Sequence, residues 1–122
     1  MPALRDQDFL EFVLDQLSGL RRVTHRRMFG AIGLYQGDQF FAIIDDGRLY
    51  FVTGEATRPR YEAQGMKAFE YAPGQFLRTY YEVPVDVLED DGALREWAAE
   101  AVAARKKKPA KRKAAGRKER AR

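Results

Sequence analysis

The chain has 122 residues, no cysteine and a formal net charge of +4, a length that fits one core with an appendage. The absence of cysteine excludes a disulfide framework, a thiolate nucleophile and Cys-ligated zinc. The stretch MPALRDQDF has no apolar signal core, and no apolar run nears the ~20 residues of a membrane helix, so a soluble cytoplasmic protein without membrane contact is expected.

Leu4–Leu17 reads as an amphipathic helix. Phe9, Leu10, Val13, Leu14 and Leu17 recur at helical spacing, Asp6 is placed to cap the start, and Gly19 is placed to end the helix in the left-handed conformation. Val23–Phe29 is the next candidate strand, with Gly30 and Gly33 marking a bulge or a close backbone approach. Ala31–Tyr35, Gln39–Ile44 and Arg48–Val52 follow, separated by Gly37-Asp38 and Asp45-Asp46-Gly47, which is the pattern of an antiparallel meander. Nearly every side chain of Arg48–Val52 is apolar, so either both faces of this strand are covered or one meets a partner.

Ala56–Gln64 reads as a short helix with Pro59 near its start, and Ala68–Tyr71 and Phe76–Glu82 as two strands around Pro73-Gly74. Val85–Leu88 has the length of one helical turn. Asp90 can then cap a last helix from about Ala93 to Arg105, with Leu94, Trp97, Ala98, Ala101 and Val102 on one side. The order is helix, three or four strands, helix, two strands, helix. The expected class is therefore α+β: two layers, with one antiparallel sheet and helices packed on it.

The last eighteen residues are of another kind. Arg105, Lys106, Lys107, Lys108, Lys111, Arg112, Lys113, Arg117, Lys118, Arg120 and Arg122 stand against one acid, Glu119. Residues 105–122 thus carry +10, and residues 1–104 carry −6. With no large apolar residue to bury, this segment is expected to be a disordered basic tail beside a folded domain of residues 1–104. Its cations are candidates for salt-dependent, sequence-independent contact with DNA or RNA. A solvated tail, or one lying on the acidic domain, is the plainer account.

Nothing in the chain calls for catalysis. His25 is the sole histidine and Ser18 the sole serine, with no nucleophile-elbow pattern, and GAIGLYQG has no following helix to receive a phosphate. Asp45-Asp46-Gly47 fits a turn better than a calcium loop, and Glu89-Asp90-Asp91 fits a helix start. We therefore expect no enzyme, no metal and no cofactor. Arg26, Arg27 and Phe29, with Tyr50 on the apolar strand, are the candidates for a protein-binding edge, although core packing is the plainer account of Met28 and Phe29.

Taken in order, Arg27-Met28-Phe29-Gly30, Gly33-Leu34-Tyr35, Phe41-Ala42-Ile43-Ile44, Leu49-Tyr50-Phe51, Tyr61-Glu62-Ala63-Gln64-Gly65 and Phe69-Glu70-Tyr71 resemble the N-terminal domain of the TfoX/Sxy competence regulators. Tyr81-Glu82-Val83-Pro84, Leu88, Asp90, Leu94 and Trp97 extend the likeness over roughly residues 22–104, while Ala31 and Ala68 stand where that family often has Gly and Pro. The resemblance implies a fold similar to type III secretion chaperones, a homodimer, and a non-enzymatic role in transcription regulation through protein contact. The tail adds DNA binding and, with it, association with the nucleoid. The alternative reading is a chaperone-like interaction module with no nucleic-acid role, resting on apolar sheet area at Leu49–Val52.

Overall fold

The structure, a computed structural model, describes residues 2–28 and 30–116, with side chains described for 7–28 and 30–106. Its elements are α1 (Pro2–Gln16), β1 (Val23–Met28), β2 (Ala31–Gln36), β3 (Gln39–Asp45), β4 (Arg48–Val52), α2 (Arg58–Ala63), β5 (Ala68–Ala72), β6 (Gln75–Glu82), α3 (Val85–Leu88) and α4 (Asp91–Gly116). All six strands form one antiparallel sheet in the order β1-β2-β3-β4-β6-β5. This is the expected α+β class, and β1 completes the meander as its fourth strand.

The turns follow local chemistry. Asp45 pairs with Arg48 around a two-residue loop in which Asp46 and Gly47 have φ of 52° and 72°. Positive φ at both central positions is the hairpin turn whose twist matches that of the flanking strands. The two acids at Asp45-Asp46 therefore begin a turn. At the other cluster, Asp90 Oδ1 accepts the Ala93 N–H at 3.1 Å and the Asp90 carbonyl accepts the Leu94 N–H at 2.8 Å. Asp90 is thus the N-cap of α4, and Asp91 pairs with Arg95 one turn on at 3.5 Å.

Three local expectations are corrected. α1 starts at Pro2, so Asp6 lies inside the helix and does not cap it; proline favours the first helical position because its fixed φ suits the helix and its missing N–H is no loss there. Gly19 is not left-handed. It gives room instead, since a Cβ there would lie 2.8 Å from Arg95 Cδ. Gly30, with φ 78°, belongs to the turn between β1 and β2, and the bulge falls farther on, between Leu34 and Tyr35.

Gly33 does serve close approach. A Cβ there would meet Phe40 Cε1 at 3.0 Å and the Met28 methyl at 3.1 Å. Gly33→Val is accordingly expected to destabilise the fold by about 1–3 kcal/mol, because the added side chain must displace the Phe40 ring and the Met28 side chain. The fall in midpoint in a urea titration measures it.

The register divides the sheet into two faces. Phe51, Ala42 and Leu34 share one face by direct pairing, and Tyr81 opposite Phe51 joins them. Tyr81 touches Tyr61 of α2, which touches Trp97 of α4 at 4.8 Å between ring centroids. The helices α2 and α4 therefore cover this face, and Leu10, Val13 and Leu17 of α1 join the same core. The opposite face carries Tyr35, Phe40 and Tyr80 as a run of rings with centroids 5.2 and 5.1 Å apart, and Tyr50 packs on Phe69 at 4.9 Å. Ile43 and Val52 are buried among these residues.

Leu49, Tyr50, Phe51 and Val52 are all buried, which decides the question left open for this strand in favour of cover on both faces. Its central place between β3 and β6 is the reason. The apolar surface on which a chaperone-like reading rested is therefore inside the molecule.

The predicted end of the last helix also moves. α4 continues past Arg105 to Gly116, so the backbone of the first two-thirds of the basic segment extends a helix that starts in the core. Lysine, arginine and alanine all favour helix, which supports the extension, although Pro109 removes one internal hydrogen bond. Residues 117–122 lie outside the described residues. No helix among the described residues is long and apolar enough to cross a membrane.

Candidate nucleic-acid and partner interface

The basic residues expected to bind nucleic acid begin on the last described side chains of α4. Arg105 is half-buried and Lys106 exposed. Lys107, Lys108, Lys111, Arg112 and Lys113 stand on the helical backbone, and their side chains lie outside the described residues, as Arg117, Lys118, Arg120 and Arg122 do altogether. The positive charge of Arg105 acts on Tyr80, yet burial dominates there and pushes the phenol up to about 12.

Lys106 does not stand alone. With Arg21 and Arg22, from the link between α1 and β1, it lines an open groove of about 530 Å³ beside the β2–β3 turn. Hydrogen bonds stitch this corner together. Gln36 Nε2 donates to the Arg21 carbonyl at 3.0 Å, and the Gly37 N–H donates to the Arg22 carbonyl at 3.3 Å. Arg22 has φ 60°, a left-handed conformation that costs a non-glycine residue about 1–2 kcal/mol, so surrounding contacts must impose it.

The protein-binding candidates are dispersed. β1 is an edge strand, and its four central residues, Thr24 to Arg27, are all exposed. Charged side chains on such an edge discourage pairing with another strand. Arg26 lies in one ladder row with Gly33, Ile43 and Tyr50, about 14 Å from Tyr50 at three strand spacings. Its guanidinium sits 5.1 Å from the Tyr35 ring centroid. Arg27 points to the opposite face, as alternation along a strand requires. Phe29 lies outside the described residues, and Tyr50 is only 9% exposed. Arg26, Arg27 and Tyr50, the three that are described, thus do not converge on one site.

Tyr50 instead borders a second, smaller groove of about 280 Å³ lined by Asp45, Asp46, Glu70 and Glu82, with Arg48 and Lys67. Burial raises its pKa, and Glu82 raises it further. This groove lies at the Asp45 end of β3 and the basic groove at the Gln39 end, about 20 Å apart along the strand. The domain therefore has a mainly basic groove and a mainly acidic groove at the two ends of β3. Net charge hid this. The signal available in the sequence was the doublet Arg21-Arg22, two adjacent cations just ahead of β1. Among the described residues no group of three or more His, Asp or Glu is placed to hold a metal ion.

Comparison with known proteins adds the following. The family model of the TfoX N-terminal domain matches residues 15–105. The DNA transformation protein TfoX1 of Aliivibrio fischeri (strain ATCC 700601 / ES114) is 32% identical over 80 residues, which is 64% of this chain and 36% of that protein. The matched part is thus little more than a third of the relative's length.

Proposed function

Because the chain belongs to the TfoX N-terminal domain family, which is regulatory and not catalytic, we propose that it regulates transcription by binding. In this reading the folded domain contacts a protein partner, and the basic segment from Arg105 onward contacts DNA or RNA backbone without reading sequence. The observation that carries it is the mounting of the charge. Leu94, Trp97, Ala98, Ala101 and Val102 bury one side of α4 in the core, and the cations follow on the same helix. A helix so anchored presents them from a fixed origin, and part of the entropy of ordering a basic arm is met by folding. The role of the relative in DNA transformation, which its name states, accords with a partner that works at DNA. A cytoplasmic, nucleoid-associated protein follows from the same reading, and so does a homodimer, to be read by light scattering.

The test replaces Lys107, Lys108, Lys111, Arg112 and Lys113 together by glutamine and titrates labelled mixed-sequence duplex DNA at several salt concentrations. The slope of log affinity against log salt is expected to lose about 0.9 for each phosphate contact removed, while the melting temperature stays within a degree or two. Equal slopes for the variant and the parent chain would reject the basic segment as the contact. A protein partner retained after nuclease treatment, with no DNA affinity at low salt, would favour the chaperone-like alternative.

A further inference from the structure

We infer that the groove between the α1–β1 link and the β2–β3 turn is a docking site for the phosphate backbone of nucleic acid. It would let the folded domain itself grip the strand that the basic segment follows. The inference rests on the reading just proposed and adds to it a named site in the folded domain.

Three cations from distant parts of the chain meet there. Arg21 and Arg22 come from the link after α1, and Lys106 comes from α4 beyond the last core residue, Val102. Two side-chain amides, Gln36 and Gln39, line the same groove, and such groups donate to phosphate and sugar oxygens. One acid, Asp38, shares the lining, which leaves the positive charges in excess. The corner is also held in place. The Arg21 and Arg22 carbonyls are both engaged by the β2–β3 hairpin, and the Arg22 guanidinium lies over Gly37, 3.7 Å from where a Cβ on Gly37 would stand. A left-handed arginine is a costlier choice in such a turn than glycine or asparagine.

Charge complementarity selects the occupant. The groove is open, polar and cationic, and Lys106 belongs to the helix whose sequence continues into the basic segment. A phosphate backbone laid across the groove would therefore meet Arg21, Arg22 and Lys106 together. Non-specific binding of this kind scales with the number of phosphates neutralised.

The full chain is compared with three variants in the same DNA titration. These are Arg21→Gln with Arg22→Gly, Lys106→Gln alone, and Lys67→Gln with Arg78→Gln, which removes equal charge from the β5–β6 hairpin and its approach. Glycine at position 22 keeps the left-handed turn available, and a thermal melt confirms folding. The salt slope is expected to fall by nearly two for the first variant and by about one for the second, and to change by less than half a unit for the third. Unchanged slopes for the first two, with the parent chain still binding, would overturn the groove and leave the function of the basic segment standing. An equal fall in the third would reduce the effect to net charge and overturn the groove as well. Displacement of the DNA by polyglutamate at equal charge would assign the groove to acidic proteins and overturn it. Absence of DNA binding by the parent chain would reject the broader reading, and the groove with it.

Discussion

Trp97→Ala is expected to be the most damaging single substitution on α4, costing about 3–5 kcal/mol. Domains of this size are typically stable by about 5–15 kcal/mol, so much of the margin would go. Trp97 is nearly buried, and its ring meets that of Tyr61, which is itself 1% exposed, edge-on at 4.8 Å. Arg60 places its guanidinium 4.0 Å from the Trp97 ring centroid and pairs with Glu100 on the same helix. Removal of the indole would open a cavity between α4, α2 and the sheet and take from Arg60 the nearer of the two rings it packs on. It would also loosen the helix that carries Lys106 to the groove. A urea titration followed by circular dichroism measures the loss, and Trp97→Phe, which keeps most of the packing, should recover more than half of it. A cost under 1 kcal/mol for the alanine variant would show that α4 is not anchored here.

Alkaline pH is expected to destabilise the fold through its buried tyrosines. Burial raises the pKa of Tyr80 from 10.0 to about 12, and its hydroxyl donates to the Phe40 carbonyl at 2.9 Å. Burial likewise raises Tyr61. In the unfolded chain these phenols ionise at their ordinary value, so above pH 10 the unfolded state binds fewer protons than the folded one. Stability is therefore fully present below pH 10 and falls as pH rises through about 12, by about 2–3 kcal/mol from Tyr80 alone. The unfolding free energy measured from pH 8 to 12 should stay level at first and then decline, with tyrosinate absorbance of the buried groups appearing only as the chain unfolds. Tyr80→Phe should flatten part of that decline while costing about 1 kcal/mol at neutral pH through the lost hydrogen bond. A decline as steep in the phenylalanine variant would assign the sensitivity to other groups.

Much of this molecule is legible residue by residue. The strands around Gly37-Asp38, Asp45-Asp46-Gly47 and Pro73-Gly74 are announced by turn residues whose backbone preferences act over two or three positions. Asp90 is announced as a cap by the apolar spacing that follows it. These are short-range effects, and the ordered motifs that mark the family lie on the same elements. The burial of β4 on both faces follows from its apolar run only once its neighbours are known, because a run of that kind suits an interface as well as a core.

The sequence by itself determined the element order, the antiparallel meander, the family and the separation of a basic C-terminal segment from an acidic remainder. Each of these depends on neighbours along the chain or on composition. Tertiary structure alone decided that Gly19 makes room for Arg95, that Tyr50 is packed against Phe69, and that Arg21, Arg22 and Lys106 share one groove. Such contacts join residues far apart in sequence, and side-chain charge acts through space. A net charge summed along the chain describes an acidic domain, whereas folding gathers Arg21, Arg22 and Lys106 into one locally basic groove.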